Sequence, residues 1–211
     1  HVMRAKAGDR VRLFNGRDGE WLAEIALLGK RGVTFRCLSR TAPQAGGPDI
    51  WLVFAPVKKT PADYLVQKAT ELGASRLQPV MTRRTIVSRI NEERLAANAI
   101  EAAEQSGRLT VPDIGAALPL EKLLAAWPKE RQIFFGDEGG DARPLAKAAR
   151  GTSGPAAILT GPEGGFDPAE RTLLRSQPFV VPVTLGPRIL RADTAALAAR
   201  TIWQSVAGDF F

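Results

Sequence analysis

Residues 156–175 read AAILTGPEGGFDPAERTLLR, and this stretch sets the grammar of the chain. Ala156–Thr160 is a short apolar run of the kind that forms a strand buried on both faces. Gly161–Gly165 interrupts it with a proline, an acid and three glycines. From Pro168 to Ser176 the apolar spacing becomes helical. Strand, glycine-containing loop and helix in that order make one unit of an α/β fold.

The same alternation extends outward from this unit. Ile50–Ala55 is another continuous apolar strand, and Pro61–Leu72 places Leu65, Ala69 and Leu72 at helical spacing, with Gly73 as a stop. Arg76–Met81 reads as a strand and Glu92–Ser106 as an alanine-rich helix ending at Gly107. Ile133–Phe135 and Phe179–Leu185 are further strands, and helices are expected near Arg143–Ala149 and Thr194–Val206. Strands alternating with helices require crossover connections, so a parallel sheet covered on both faces is predicted.

The first fifth of the chain follows other rules. Val11–Phe14, Trp21–Leu28 and Val33–Leu38 are short strands separated by Asn15-Gly16, Asp18-Gly19 and Gly29–Gly32. Asn-Gly and Asp-Gly suit hairpin turns, which need positive φ. A small antiparallel β unit, closed as a barrel, is expected here. Thr41–Asp49 (TAPQAGGPD) is the linker.

Charge divides the chain in the same way. The net charge is +7, and residues 1–60 hold 11 of the 29 basic residues against five of the 22 acids, a surplus of +6. The remaining 151 residues are nearly balanced. Clustered cations favour a polyanionic partner, because neutralising phosphates releases counterions, although a solvated charged surface would show the same asymmetry. A single cysteine, Cys37, excludes an internal disulfide and any cysteine-rich zinc site, and a single histidine leaves no His-based triad, so no metal is expected. No stretch approaches the roughly 18 to 20 apolar residues of a membrane-spanning helix, and no leader is read at the start. The expected setting is a reducing cytoplasm.

In parallel α/β sheets, ligands bind where strands end and loops enter the next helix. Two such loops stand out, Thr160–Phe166 (TGPEGGF) and Leu185–Arg191 (LGPRILR), read as lying on neighbouring strands. Glycines there let backbone amides approach a ligand closely. Ile189 and Leu190 would line an apolar slot for an aromatic ring. The spacing is neither a dinucleotide fingerprint nor a phosphate-binding P-loop. Trp21, Trp51, Trp127 and Trp203 lie in apolar runs and are read as core or interface residues, Trp203 as a dimer-interface candidate. Cys37 is read as a buried apolar residue on a strand.

TGPEGGF and LGPRILRADTAALAA closely resemble the knotted-loop motifs of the bacterial 16S rRNA (uracil-N3) methyltransferases, a branch of the SPOUT superfamily. Asp63–Val80 (DYLVQKATELGASRLQPV) is similar to that family's first long helix and following strand, and Glu101–Ile114 (EAAEQSGRLTVPDI) to its RNA-side helix and loop. His1–Ile25 resembles its amino-terminal PUA-like barrel. The family carries a further stretch before this histidine, so the chain is expected to begin part-way into its first domain. Asp193 stands where many relatives have glutamate.

The resemblance implies a PUA-like β-barrel over residues 1–45 followed by an α/β trefoil-knot (SPOUT) methyltransferase domain over residues 50–211. It implies a homodimer acting on 16S rRNA of the 30S subunit with S-adenosylmethionine as cofactor. Phe135 and Gly136, then Thr160, Gly161, Glu163, Gly164 and Gly165, then Leu185, Gly186, Ile189 and Leu190 would surround that cofactor. Arg191 is the leading catalytic residue, a cation for the negative charge developing on the base or for the substrate phosphate. Asp193 or Glu163 would accept the N3 proton, or else Asp193 caps the helix beginning at Thr194 and Glu163 braces its loop. RNA contacts are expected from Arg4, Arg10 and Arg12 in the barrel and from Arg83, Arg84 and Arg108, near strand or helix ends in the catalytic domain. A methyltransferase acting on tRNA or on a ribose 2′-oxygen, a non-catalytic RNA-binding or assembly factor, and an enzyme using another nucleotide cofactor are the alternatives.

Overall fold

A computed structural model describes residues 5–57, 59–87, 89–137 and 141–210. Contacts divide the chain into two compact units, residues 1–46 with 107–111, and residues 47–106 with 112–211.

In the first unit, β1 (Arg10–Phe14), β2 (Glu20–Gly29) and β3 (Gly32–Ala42) form an antiparallel sheet in that order. The β1–β2 turn carries Gly16 and Gly19 at φ +77° and +83°, where the Asn-Gly and Asp-Gly pairs lead one to expect them. Among the described residues β3 is an edge strand, and nearly all of it is exposed. Cys37, expected to be buried, is therefore exposed. Its place on a strand was legible; its place on an edge depends on pairing that no local pattern encodes.

The second unit runs β4 (Ile50–Phe54), α1 (Lys59–Glu71), β5 (Arg76–Met81), α2 (Glu92–Ser106), β6 (Asp113–Ile114), β7 (Leu118–Pro119) and α3 (Leu120–Ala125). It continues through β8 (Gln132–Gly136), β9 (Arg143–Pro144), α4 (Leu145–Ala148), β10 (Ala156–Thr160), α5 (Pro168–Arg175), β11 (Val180–Thr184) and α6 (Ala192–Ala207). The strands pair in the order β6-β5-β4-β10-β8-β11-β9, all parallel, with β7 beside β5. The expected parallel α/β sheet is present, and the expected antiparallel unit precedes it in the chain as an open three-stranded sheet, not a closed barrel, among the described residues.

β10 is central and every one of its residues is buried, which explains its unbroken apolar sequence. On one face, Val53, Ile133, Phe135, Ala157 and Leu159 pack with Leu120, Leu123 and Leu124 of α3 and Leu174 of α5. The helices begin and end by local chemistry. Asn91 accepts the Arg94 N–H at the start of α2, and α1 and α2 are followed by Gly73 and Gly107, both at positive φ. Trp51 and Trp127 meet edge-on with centroids 5.4 Å apart, Trp127 within the core and Trp51 half-buried against it. Trp203 is 2% exposed in its own chain, so its ring is core and not a surface offered to a second copy. The helical spacing of α6 placed it on an apolar face without saying what covers that face.

Candidate functional site at the carboxyl edge of three parallel strands

The two glycine-containing loops leave β10 and β11, which are not adjacent as expected: β8 runs between them. The parallel register aligns Leu159 with Phe135 on one side of β8 and Pro182 with Phe135 on the other. Strand order is a non-local property, so sequence neighbours could not reveal it. The consequence is geometric. Phe135 and Gly136 end the middle strand, with the Thr160–Gly165 loop on one flank and the Leu185–Leu190 loop on the other. All three segments expected around a cofactor open at one edge of one sheet.

The first loop is compact. Thr160 is buried and its carbonyl accepts the Ala55 N–H at 3.1 Å. The Gly165 N–H donates to the Pro162 carbonyl at 2.9 Å, closing a turn with Gly165 at φ +66°. Phe166 folds back so closely that a Cβ on Gly161 would lie 2.7 Å from its ring. The same ring meets Phe135 edge-on at 5.0 Å. Phe135 is 1% exposed, so its backbone, and not its side chain, is what can face a ligand. Glu163 and Gly164 are exposed at the loop's tip.

The second loop is more open. Gly186 has φ +115°, and its N–H donates to the Thr184 hydroxyl at 3.2 Å. Leu185 and Leu190 are half-buried, whereas Ile189 is 84% exposed, an unusual position for a large apolar side chain. Arg191 is exposed and is itself the extended N-cap residue of α6, making no side-chain cap bond. Asp193, expected to cap a helix from Thr194, instead lies inside the first turn, because the helix begins at Ala192. Its carboxylate accepts the Thr194 N–H at 2.7 Å.

Two acids that no motif singled out organise this edge. Asp137, directly after Gly136, has a buried side chain that accepts from Arg171 at 2.6 Å and from Arg175 at 2.7 Å, tying β8 to α5. Arg175 also pairs with Asp141, and its hydrogen bonds and charge hold the Asp141 carboxyl below its usual range. Glu170 completes a capping box with Asp167 at the start of α5. The Asp-x-x-Glu spacing before an apolar run was the available signal for it.

The arginines expected to hold RNA fall into two groups, and Arg4 lies outside the described residues. Arg10 and Arg12 project from one face of β1 and are exposed, Arg12 lying 3.4 Å from Glu20. Arg108 clusters with the first unit and not with the catalytic domain as expected: it donates to Thr110, and the adjacent Leu109 carbonyl accepts from Gln44. Arg83 and Arg84 follow β5, and both are engaged with the first loop and its helix. A hollow of about 320 Å³ beyond β4, lined in part by Phe54, Val57, Asn91 and Arg94, includes no residue of the three segments. Among the described residues no group of three or more His, Cys, Asp or Glu side chains is placed to hold a metal, and no helix is long and apolar enough to cross a membrane.

Residues 46–204 match the family described as an RNA methyltransferase domain, and residues 1–37 match an RNA methyltransferase PUA domain. The ribosomal RNA small subunit methyltransferase E of Rickettsia conorii is 34% identical over 199 residues, covering 94% of this chain and 81% of the relative. The crystal structure of the Neisseria gonorrhoeae ribosomal RNA small subunit methyltransferase E, bound to S-adenosylmethionine, aligns with a TM-score of 0.90 at 30% identity. That alignment covers 100% of this chain and 88% of the other. The TrmH/SpoU tRNA modifying enzyme of A. aeolicus aligns at a TM-score of 0.51 and 16% identity over 76% of each chain, a likeness of fold alone.

Proposed function

The chain belongs to the RNA methyltransferase family, and we propose that it methylates N3 of a specific uridine in 16S rRNA of the small ribosomal subunit, using S-adenosylmethionine. The observation that carries this reading is the convergence of Phe135–Gly136, Thr160–Gly165 and Leu185–Leu190 at one sheet edge, in a chain whose full length aligns with a relative solved with that cofactor. The residues present fit the group. Backbone amides at glycines without Cβ atoms suit its polar parts, and the exposed Ile189 suits its ring.

When bound, the cofactor supplies an already activated sulfonium methyl. What the protein contributes is position and charge. The strand ends hold the donor in one orientation. Arg191, beside the second loop, stabilises negative charge as the N3 proton leaves. Glu163 in the first loop and Asp193 in the first turn of α6 are the carboxylates that can take that proton. Residues 1–45, with their surplus of basic residues, bind RNA, and residues 50–211 carry out the transfer from a trefoil-knotted site in a cytoplasmic homodimer.

Mass spectrometry of 16S rRNA from a deletion strain tests the assignment. Loss of one 3-methyluridine, restored by the wild-type chain and not by Arg191→Ala, supports it. An unchanged 3-methyluridine content in the deletion strain sinks it.

A further inference from the structure

We propose that Glu170 is a positioning residue for the methyl-donor loop, acting together with Arg83 and Arg84 as a clasp that sets the loop's shape. The inference rests on the reading of residues 161–165 as a cofactor site.

Glu170 is 2% exposed, and its two carboxylate oxygens point to different partners. One oxygen accepts the Asp167 backbone N–H at 3.1 Å, which is the ordinary capping-box bond. The other accepts the Arg83 backbone N–H at 2.8 Å, from the loop that follows β5. Helix capping does not call for that second bond. It joins two segments 87 positions apart.

Two further bonds run across the same gap. The Arg83 guanidinium donates to Asp167 at 3.2 Å, and the Arg84 guanidinium donates to the Gly164 carbonyl at 2.9 Å. One end of the loop is already fixed, because Thr160 is buried in the sheet. The other end is fixed by this clasp, which grips Gly164 and Asp167. Between those two ends Glu163 is exposed at the tip, and the turn bond from the Gly165 N–H to the Pro162 carbonyl adds to the Arg84 contact on Gly164. Both guanidiniums that the sequence suggested for RNA are thus turned toward the protein's own loop.

A buried carboxylate satisfying two backbone donors leaves both orphaned when it is lost, so local geometry suffers first. Glu170→Gln keeps the side-chain shape but offers one acceptor where two are needed. Leu174→Ala provides the comparison: Leu174 lies one turn further along α5, is fully buried in the core, and its apolar side chain makes none of the hydrogen bonds of the clasp.

The test uses the full chain, with S-adenosylmethionine binding measured by calorimetry, separate KM values for cofactor and RNA, and Tm. Glu170→Gln and Arg84→Ala are expected to raise the cofactor Kd and KM about tenfold, a ΔΔG of about 1.4 kcal/mol. The RNA KM should stay within about twofold of wild type, and Leu174→Ala, at a comparable loss of Tm, should bind cofactor like wild type. An equal loss of cofactor affinity in Leu174→Ala would reduce Glu170 to a fold-stability residue and overturn the proposal. So would an Arg84→Ala protein whose RNA KM rises while its cofactor KM does not. If Glu170→Gln does not fold, Arg84→Ala decides alone, since that side chain is exposed. A wild-type protein that fails to bind S-adenosylmethionine would remove the underlying site reading, an outcome visible before any variant is made.

Discussion

The Arg131 guanidinium lies 3.9 Å from the centroid of the Trp51 ring and donates to both carboxylate oxygens of Asp49, just before β4. It also donates to the Asp49 and Ala156 carbonyls at 3.2 and 3.0 Å, and the Arg131 carbonyl accepts the Trp127 indole N–H at 2.8 Å. Arg131 thereby staples the amino ends of β4, β8 and β10, the edge opposite the candidate site. Its side chain is 8% exposed, while Asp49 is about half exposed, which tempers the strength of the pair. Arg131→Met is expected to cost about 2 kcal/mol, read as a lower urea midpoint at unchanged m value.

The same pair predicts a pH dependence. Burial works against the Asp49 charge, but hydrogen bonds from Arg131 and Ser75 outweigh it and hold the carboxyl below its usual value of 3.8. A depressed folded pKa gives stability that is fully present above the unfolded value and is lost as pH falls through the folded one. Urea midpoints of wild type and Asp49→Asn should therefore differ at neutral pH and converge below pH 3.8. A gap that stays constant down to pH 2.5 would show that the charge of Asp49 contributes nothing to the difference.

Most of the framework could be read from the chain because it is written locally. β5, β10 and α2 occupy the ranges that their apolar spacing predicts. α3 has no legible signature, because six residues between Pro119 and Ala126 are too few to establish a helical period. β6, β7 and β9 are two-residue strands that exist only through pairing with β5 or β11. The site divides in the same way. The glycine loops were legible, but β8 between them was not, since strand order depends on partners far apart in sequence. Arg83 and Arg84 show the limit most clearly: sequence identifies a guanidinium and leaves its acceptor open.

Asp137 offers a test of how the middle strand is held. Its buried carboxylate faces two arginines of α5, and Asp137→Ala leaves both without that acceptor. The arginines are about a third exposed, so a loss of about 2 kcal/mol is expected, less than for a fully buried pair. Since Asp137 adjoins Gly136, weaker S-adenosylmethionine binding should accompany the loss in calorimetry.

Gly161→Ala should weaken cofactor binding by about tenfold or more, because its methyl would lie 2.7 Å from the Phe166 ring and something must shift. Replacing that ring tests the cause. The Gly161→Ala/Phe166→Leu double variant should bind S-adenosylmethionine better than Gly161→Ala alone, a positive coupling in a double-mutant cycle. Strict additivity would place the defect in the backbone of Gly161 and not in the clash.

Arg191 separates charge stabilisation from binding. It is exposed at the N-cap of α6, immediately after the Leu185–Leu190 loop, and its side chain makes no cap bond that removal would break. Arg191→Ala should therefore leave Tm nearly unchanged. If the guanidinium acts on charge that develops only as the N3 proton leaves, its loss lowers kcat and leaves both KM values near wild type. A decrease of about 10²-fold is the scale expected for one lost charge-stabilising donor. Lysine at the same position keeps the charge but not the planar donor geometry, so Arg191→Lys should retain more of kcat than alanine if charge is what matters. If instead Arg191 grips a phosphate outside the reacting centre, the RNA KM rises, kcat holds, and the salt dependence of RNA affinity flattens by roughly one phosphate contact. Steady-state kinetics at two salt concentrations distinguishes these roles, and the second pattern would remove Arg191 from the chemistry.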